Sequence, residues 1–212
     1  MSTVQPTVTW YFDFISPYSY LAQRTLRQLP ADTLVLREPV LFAGMLNHWG
    51  QKGPAEIVPK RQWTYRSCLW LAHKYGVPLR MPAAHPFNSL PYLRLALAAD
   101  KSAVAIEKIF AALWTTGADP ADPRLLAELT RALGIDPARL AEPAVKNALR
   151  ESTQRAIERG VFGVPSLVVR DQVFWGADCI DFAAAYLRDP GILENDEMRR
   201  ADSLPVGASR TA

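Results

Sequence analysis

Segments with strand-forming composition occur only near the two ends of this 212-residue chain, and helical spacing fills the middle. A single sheet must then join segments far apart in sequence and leave room for a block of helices between them. Residues 7–14 (TVTWYFDF) are dense in β-branched and aromatic side chains and read as a buried strand. Ser16-Pro17 opens a helical run over 18–29, with serine as N-cap and proline in the first turn. Residues 33–40 (TLVLREPV) alternate as a second strand, which makes a βαβ unit with parallel neighbours. At the other end Gly163-Val164-Pro165 leads into a strand over 166–170, a turn at Asp171-Gln172, and a strand over 173–175. A last helix runs from Gly176-Ala177-Asp178 to Leu187, with Asp178 as N-cap.

Residues 41–59 hold Gly44, Gly50, Gly53, Pro54 and Pro59 and read as a long loop with at most one short helical turn. Helices are expected over 60–75, 90–99, 102–114, 123–133 and 143–159, with Asp122 a start signal and Gly134 a stop. The order βαβ, helices, ββα gives an α/β chain: a thioredoxin-like sheet domain from 1–59 and 150–188, with an all-helical insertion at 60–149. The tail over 189–212 mixes charge with Gly and Pro and reads as loosely held.

Composition excludes several classes. With 24 basic and 21 acidic residues the net charge is +3, and no basic run supplies the clustered cations that nucleic acid requires. Cys68 and Cys179 lie far apart and only three histidines are present, so disulfide-scaffold, zinc-finger and CxxC patterns are absent. The first basic residue is Arg24, and the apolar stretch before it is interrupted by Asp13. Neither a signal peptide nor a membrane span is expected, and a cytoplasmic location follows as the default.

Three places could carry chemistry. Ser16 stands at a helix N-terminus, where unpaired N–H groups and the helix dipole favour an anion and a hydroxyl can donate to a ligand's thiolate. Spacing alone favours the plainer reading, an N-cap and nothing more. Val164-Pro165 is an ordinary loop proline or, if cis, a turn that leaves the Val164 backbone free to pair with an extended peptide. Trp175-Gly176-Ala177-Asp178 places a carboxylate beside glycine, fit to hold an ammonium group or simply to cap a helix.

Phe12-Asp13-Phe14-Ile15-Ser16-Pro17-Tyr18-Ser19-Tyr20-Leu21 resembles the opening of 2-hydroxychromene-2-carboxylate isomerases and kappa-class glutathione transferases, in the DsbA-like branch of thioredoxin-fold proteins. The resemblance continues through Gly53-Pro54-Ala55-Glu56-Ile57, Pro59-Lys60-Arg61 and Tyr75-Gly76-Val77-Pro78. It includes His85-Pro86-Phe87-Asn88, Phe162-Gly163-Val164-Pro165-Ser166 and Phe174-Trp175-Gly176-Ala177-Asp178. Ser16-Pro17-Tyr18-Ser19 stands where the redox relatives carry Cys-Pro-x-Cys.

The resemblance implies a glutathione cofactor, a small aromatic carboxylate substrate, and a homodimer. It assigns Ser16 to the glutathione sulfur as the catalytic serine, Val164 to the cysteinyl backbone, and Trp175, Gly176, Ala177 and Asp178 to the γ-glutamyl end. Lys60, His85 and Asn88 fall on the acceptor side, with Lys60 suited to the substrate carboxylate. The implied reaction is cis/trans isomerisation by reversible thiolate addition. A conjugating transferase and a non-enzymatic binding module remain as rivals; a disulfide oxidoreductase is opposed by the missing CxxC. Gln51 and Ala177 depart from residues common in relatives. His48 and His73 read as surface or satisfied polar groups, Cys68 as a buried small hydrophobe, and Cys179 as the same or as a thiol activated by the helix dipole. Trp63, Tyr65 and Trp70 read as pocket lining or as core.

Overall fold

In a computed structural model, whose described residues are 5–208, the strand β1 (Thr7–Phe12) lies inside a four-stranded sheet of order β2-β1-β3-β4. Its parallel neighbour is β2 (Leu34–Pro39), reached through helix α1 (Pro17–Thr25) and a 3₁₀ turn at Leu26–Gln28. On its other side β3 (Ser166–Val169) runs antiparallel, followed by the edge strand β4 (Gln172–Trp175). The strand, helix and hairpin order expected from sequence is therefore present.

Both faces of β1 are covered, which explains a run of apolar residues without polar alternation. Trp10 and Phe12 point to one face because strand side chains alternate. With Phe14 they meet Phe110 of helix α5 (Ala103–Trp114) at ring distances of 6.1, 5.7 and 4.6 Å. Tyr11, on the opposite face, packs with Val40, Met45, Val161, Val164 and Val168. Near the β2 edge, Glu38 pairs with Lys101 and with Arg155 of helix α7 (Pro143–Glu158), and it accepts from Ser152 Oγ at 3.0 Å.

The middle helices fall where the spacing places them: α3 (Val58–Tyr75), α4 (Leu90–Ala98), α5, α6 (Pro123–Leu133) and α7. Asp122 caps α6 by accepting from Arg124 N, and Gly134 ends it with φ +66°.

The structure corrects the reading elsewhere. Residues 41–59 are not a long loop: they contain helix α2 (Phe42–Trp49) and a 3₁₀ turn at Pro54–Glu56. The N–H groups at the start of α2 are satisfied by residues distant in sequence, that of the N-cap Leu41 by Thr153 Oγ1 at 2.9 Å and that of Phe42 by Asp13 Oδ2 at 2.9 Å. A local search for a capping residue finds none, because the caps come from elsewhere in the fold. The hairpin turn is Arg170-Asp171, since Val169 pairs with Gln172; Arg170 takes the left-handed conformation with φ +54°. The last helix, α8 (Ile180–Arg188), begins one residue later than expected, so Cys179 and not Asp178 is its N-cap. The tail carries a 3₁₀ turn at Pro190–Leu193 and helix α9 (Asp196–Asp202), capped by Asn195, while residues 209–212 lie outside the described residues.

Candidate active site

The loop from β1 into α1 places Ser16 at the helix N-terminus. Its N–H donates to Asp13 O at 3.1 Å, and its Oγ accepts from Ser19 N at 3.1 Å, so the expected N-cap is formed. The hydroxyl proton faces Val164 O at 3.5 Å, longer than an ordinary O–H···O bond. Its donor capacity is therefore barely used, beside a helix end that favours negative charge. Ser19 is fully buried, and its Oγ has no partner among the described residues.

The Val164–Pro165 peptide is cis. Among the described residues Val164 N–H makes no hydrogen bond, and its C=O has only the long Ser16 contact. Val164 thus offers one donor and one acceptor in the manner of an unpaired strand edge. Pro165 O accepts from Gly176 N at 3.0 Å, tying this turn to the segment after β4. Trp175 is exposed; its ring lies 5.2 Å from that of Phe162 and covers Gly163, where a Cβ would sit 2.5 Å from the indole nitrogen. Gly176 has φ +109°, and a Cβ there would meet Asp178 Oδ1 at 2.5 Å, so only glycine fits. Ala177 is buried and Asp178 is exposed. The Asp178 charge reaches the Tyr18 phenol of α1, which burial pushes above its ordinary pKa. Ser16, Val164 and the 175–178 segment are thus brought together.

The expected acceptor-side residues are arranged differently from one another. His85 precedes a second cis proline, Pro86, and both its ring nitrogens are engaged: Nε2 with Ile15 O at 2.8 Å and Nδ1 with Tyr65 Oη at 2.7 Å. Burial lowers its pKa, and the charge of Arg61 acts in the same direction. Asn88 is exposed and accepts from Leu90 N. Lys60 is exposed in the first turn of α3. Arg61 and Tyr65, one turn apart, share the face of α3 that meets His85. Trp63 and Trp70 are 70% and 64% exposed, so core packing does not explain them.

Residues 7–188 match the family of DSBA-like thioredoxin domains. A 2-hydroxychromene-2-carboxylate isomerase of Sphingobium xenophagum is 35% identical over 192 residues, covering 86% of this chain and 98% of its own length. This chain belongs to the 2-hydroxychromene-2-carboxylate isomerase family. A solved 2-hydroxychromene-2-carboxylate isomerase superposes on it with a TM-score of 0.75 at 28% identity, covering 94% of this chain and 100% of that one. Glutathione S-transferase kappa 2 of Caenorhabditis elegans is 28% identical over 207 residues, covering 86% of this chain and 92% of its own.

In this member of the isomerase family, Gln51 is exposed just after α2, and its N–H is used by Leu46 O at 2.9 Å. Both cysteines are buried, with thiols pushed up to about 12. Burial is the main cause for each, and the Asp178 charge adds to it at Cys179. Both effects oppose activation of Cys179 by the helix dipole. Among the described residues no group of three His, Cys, Asp or Glu side chains could hold a metal, and no helix is long and apolar enough to cross a membrane. The sequence reading missed the role of Asp13, a carboxylate only 1% exposed at the end of β1. Its signal is an acidic residue inside an aromatic run, three positions before the serine.

Proposed function

We propose that this protein is a glutathione-dependent cis/trans isomerase of 2-hydroxychromene-2-carboxylate or a similar aromatic acid. The observation that carries the reading is the nearly unused Ser16 hydroxyl facing the open backbone of Val164 across a helix N-terminus. The residues present fit the tripeptide. Val164 offers a free N–H and a nearly free C=O to a cysteinyl backbone, and the exposed Asp178 carboxylate beside Trp175 and Gly176 suits an α-ammonium group.

When bound, glutathione supplies a thiolate that adds reversibly to the substrate's conjugated double bond, permits rotation and is regenerated. Ser16 Oγ donates to that sulfur while continuing to accept from Ser19 N, so the helix cap is not lost when the site is used. Donation to the charged form lowers a thiol pKa, and each unit is worth about 1.4 kcal/mol. The N–H groups at the start of α1 add to the same preference for negative charge. The exposed Lys60 and Asn88 belong to the acceptor side in this reading, with Lys60 meeting the substrate carboxylate, whereas both ring nitrogens of His85 are engaged by Ile15 and Tyr65. A homodimer and a cytoplasmic location complete it; two unpaired cysteines accord with a reducing compartment.

The test is turnover of the cis isomer with total glutathione followed in parallel. An isomerase loses activity without glutathione and leaves its total constant. The kappa-class relative favours a second reading, a conjugating transferase, which consumes glutathione in step with substrate.

A further inference from the structure

The two peptide groups that flank Ile15, immediately before Ser16, are each held by a side chain. The Ile15 N–H donates to Asp13 Oδ1 at 3.1 Å and its C=O accepts from His85 Nε2 at 2.8 Å. A carbonyl can only accept, so Nε2 carries a proton. In the neutral ring Nδ1 is then the acceptor for the Tyr65 hydroxyl. Burial and the charge of Arg61 favour this neutral ring. The other oxygen of Asp13 receives Phe42 N at 2.9 Å. Asp13 therefore joins the β1–α1 loop to the start of α2. His85 joins the same loop to α3 through Tyr65.

We propose that Asp13 and His85 are positioning residues, which hold the two peptide groups flanking Ile15 and so aim Ser16 Oγ and the first N–H groups of α1 at the bound sulfur. This rests on the glutathione reading given above. The two side chains act through the backbone: each is spent on internal partners, and Asp13 is sealed beneath the loop. Ile15 N–H lies in the Phe14–Ile15 peptide and Ile15 C=O in the Ile15–Ser16 peptide, so the two bonds hold both planes that flank Ile15, and the Ser16 N–H bond to Asp13 O at 3.1 Å holds the opposite edge of the second. A displacement of about 1 Å at a reacting group is enough to lower a rate by about 100-fold.

The experiment compares wild type with His85→Leu, His85→Gln, Asp13→Asn and Ser16→Ala. It measures the ultraviolet titration of bound glutathione thiol, kcat and KM, and amide hydrogen exchange at Ile15. His85→Leu removes the donor to Ile15 O, whereas the amide of His85→Gln can replace it. The expected result for His85→Leu is a thiol pKa raised by about one unit and kcat lowered by about 10- to 100-fold. KM changes little, Ile15 exchanges faster, and His85→Gln recovers most of each effect. Asp13→Asn shifts the same readouts in the same direction, and it supplies an independent variant should His85→Leu fail to fold. A wild-type titration in His85→Leu overturns the proposal, as does raised KM with unchanged kcat, which would mean that His85 touches substrate. If Ser16→Ala titrates as wild type, the glutathione reading fails; unchanged Ile15 exchange in His85→Leu and Asp13→Asn separately overturns the grip.

Discussion

Ser16 Oγ and Val164 O stand 3.5 Å apart although 148 positions separate them in the chain. The contact links an N-cap to a cis-proline turn, and it is long enough that the hydroxyl loses little by turning to a ligand. Replacing Ser16 with alanine removes the cap acceptor of Ser19 N together with the donor to the sulfur. The loss of an N-cap costs about 0.5–2 kcal/mol of stability. Loss of a charge-assisted bond raises the bound thiol pKa by about one unit and lowers turnover at least about tenfold. Urea unfolding and thiol titration separate the two effects, and unchanged titration removes Ser16 from its role.

Trp175 depends on the absence of a side chain at Gly163. Gly163→Ala places a methyl group 2.5 Å from the present position of the indole nitrogen, so the ring must swing outward. Trp175 is 55% exposed and able to move, and the stability penalty is therefore small, under about 1 kcal/mol. Glutathione affinity is expected to fall several-fold because the indole leaves the 175–178 segment. Calorimetry of this variant decides the matter: wild-type affinity with an intact fold takes Trp175 out of the binding set.

Local chemistry made much of this site legible before any coordinates. Ser16-Pro17 announces a helix start, and strand β1 is readable because its buried faces leave an unbroken apolar run. Helix α2 was hidden because its first two N–H acceptors, Asp13 and Thr153, come from β1's end and from α7. Asp178 looked like an N-cap because Gly-Ala-Asp before an apolar run has that form, yet α8 starts at Ile180 with Cys179 in the cap position. The shared tie of Asp13 and His85 to Ile15 was out of reach for the same reason as α2: residues 13 and 85 meet only after folding. What sequence patterns encode is periodicity and termini; what they omit is which distant polar group closes an open end.

The two cysteines give a prediction independent of glutathione. With thiols held up near 12, only about one molecule in ten thousand is thiolate at about pH 8, against roughly a quarter for a free cysteine. Native protein is expected to react with iodoacetamide at least about a thousand times more slowly than unfolded protein at both positions. Peptide mapping after timed alkylation checks this. Rapid labelling of Cys179 in the folded state would restore the activated-thiol reading that its burial and the neighbouring Asp178 oppose.

Asp13 gives the chain a pH dependence of stability that runs opposite to a surface carboxylate's. Desolvation raises its pKa from 3.8 to about 6, against the hydrogen bonds from Ser89, Phe42, Ile15 and Phe14 that favour the charged form. The folded protein therefore holds this proton more tightly than the unfolded chain does. The stabilising contribution is complete below about pH 4 and is lost as pH rises through about 6, amounting to roughly 3 kcal/mol. Asp13→Asn cannot titrate, so the comparison isolates the group from every other carboxylate. Wild type is expected to lose about 2 kcal/mol relative to the variant between about pH 4 and pH 7, measured by urea unfolding at both ends. A constant difference across that range would mean that the Ile15 and Phe42 N–H bonds fully offset burial, and that the carboxylate ionises no higher than its ordinary value.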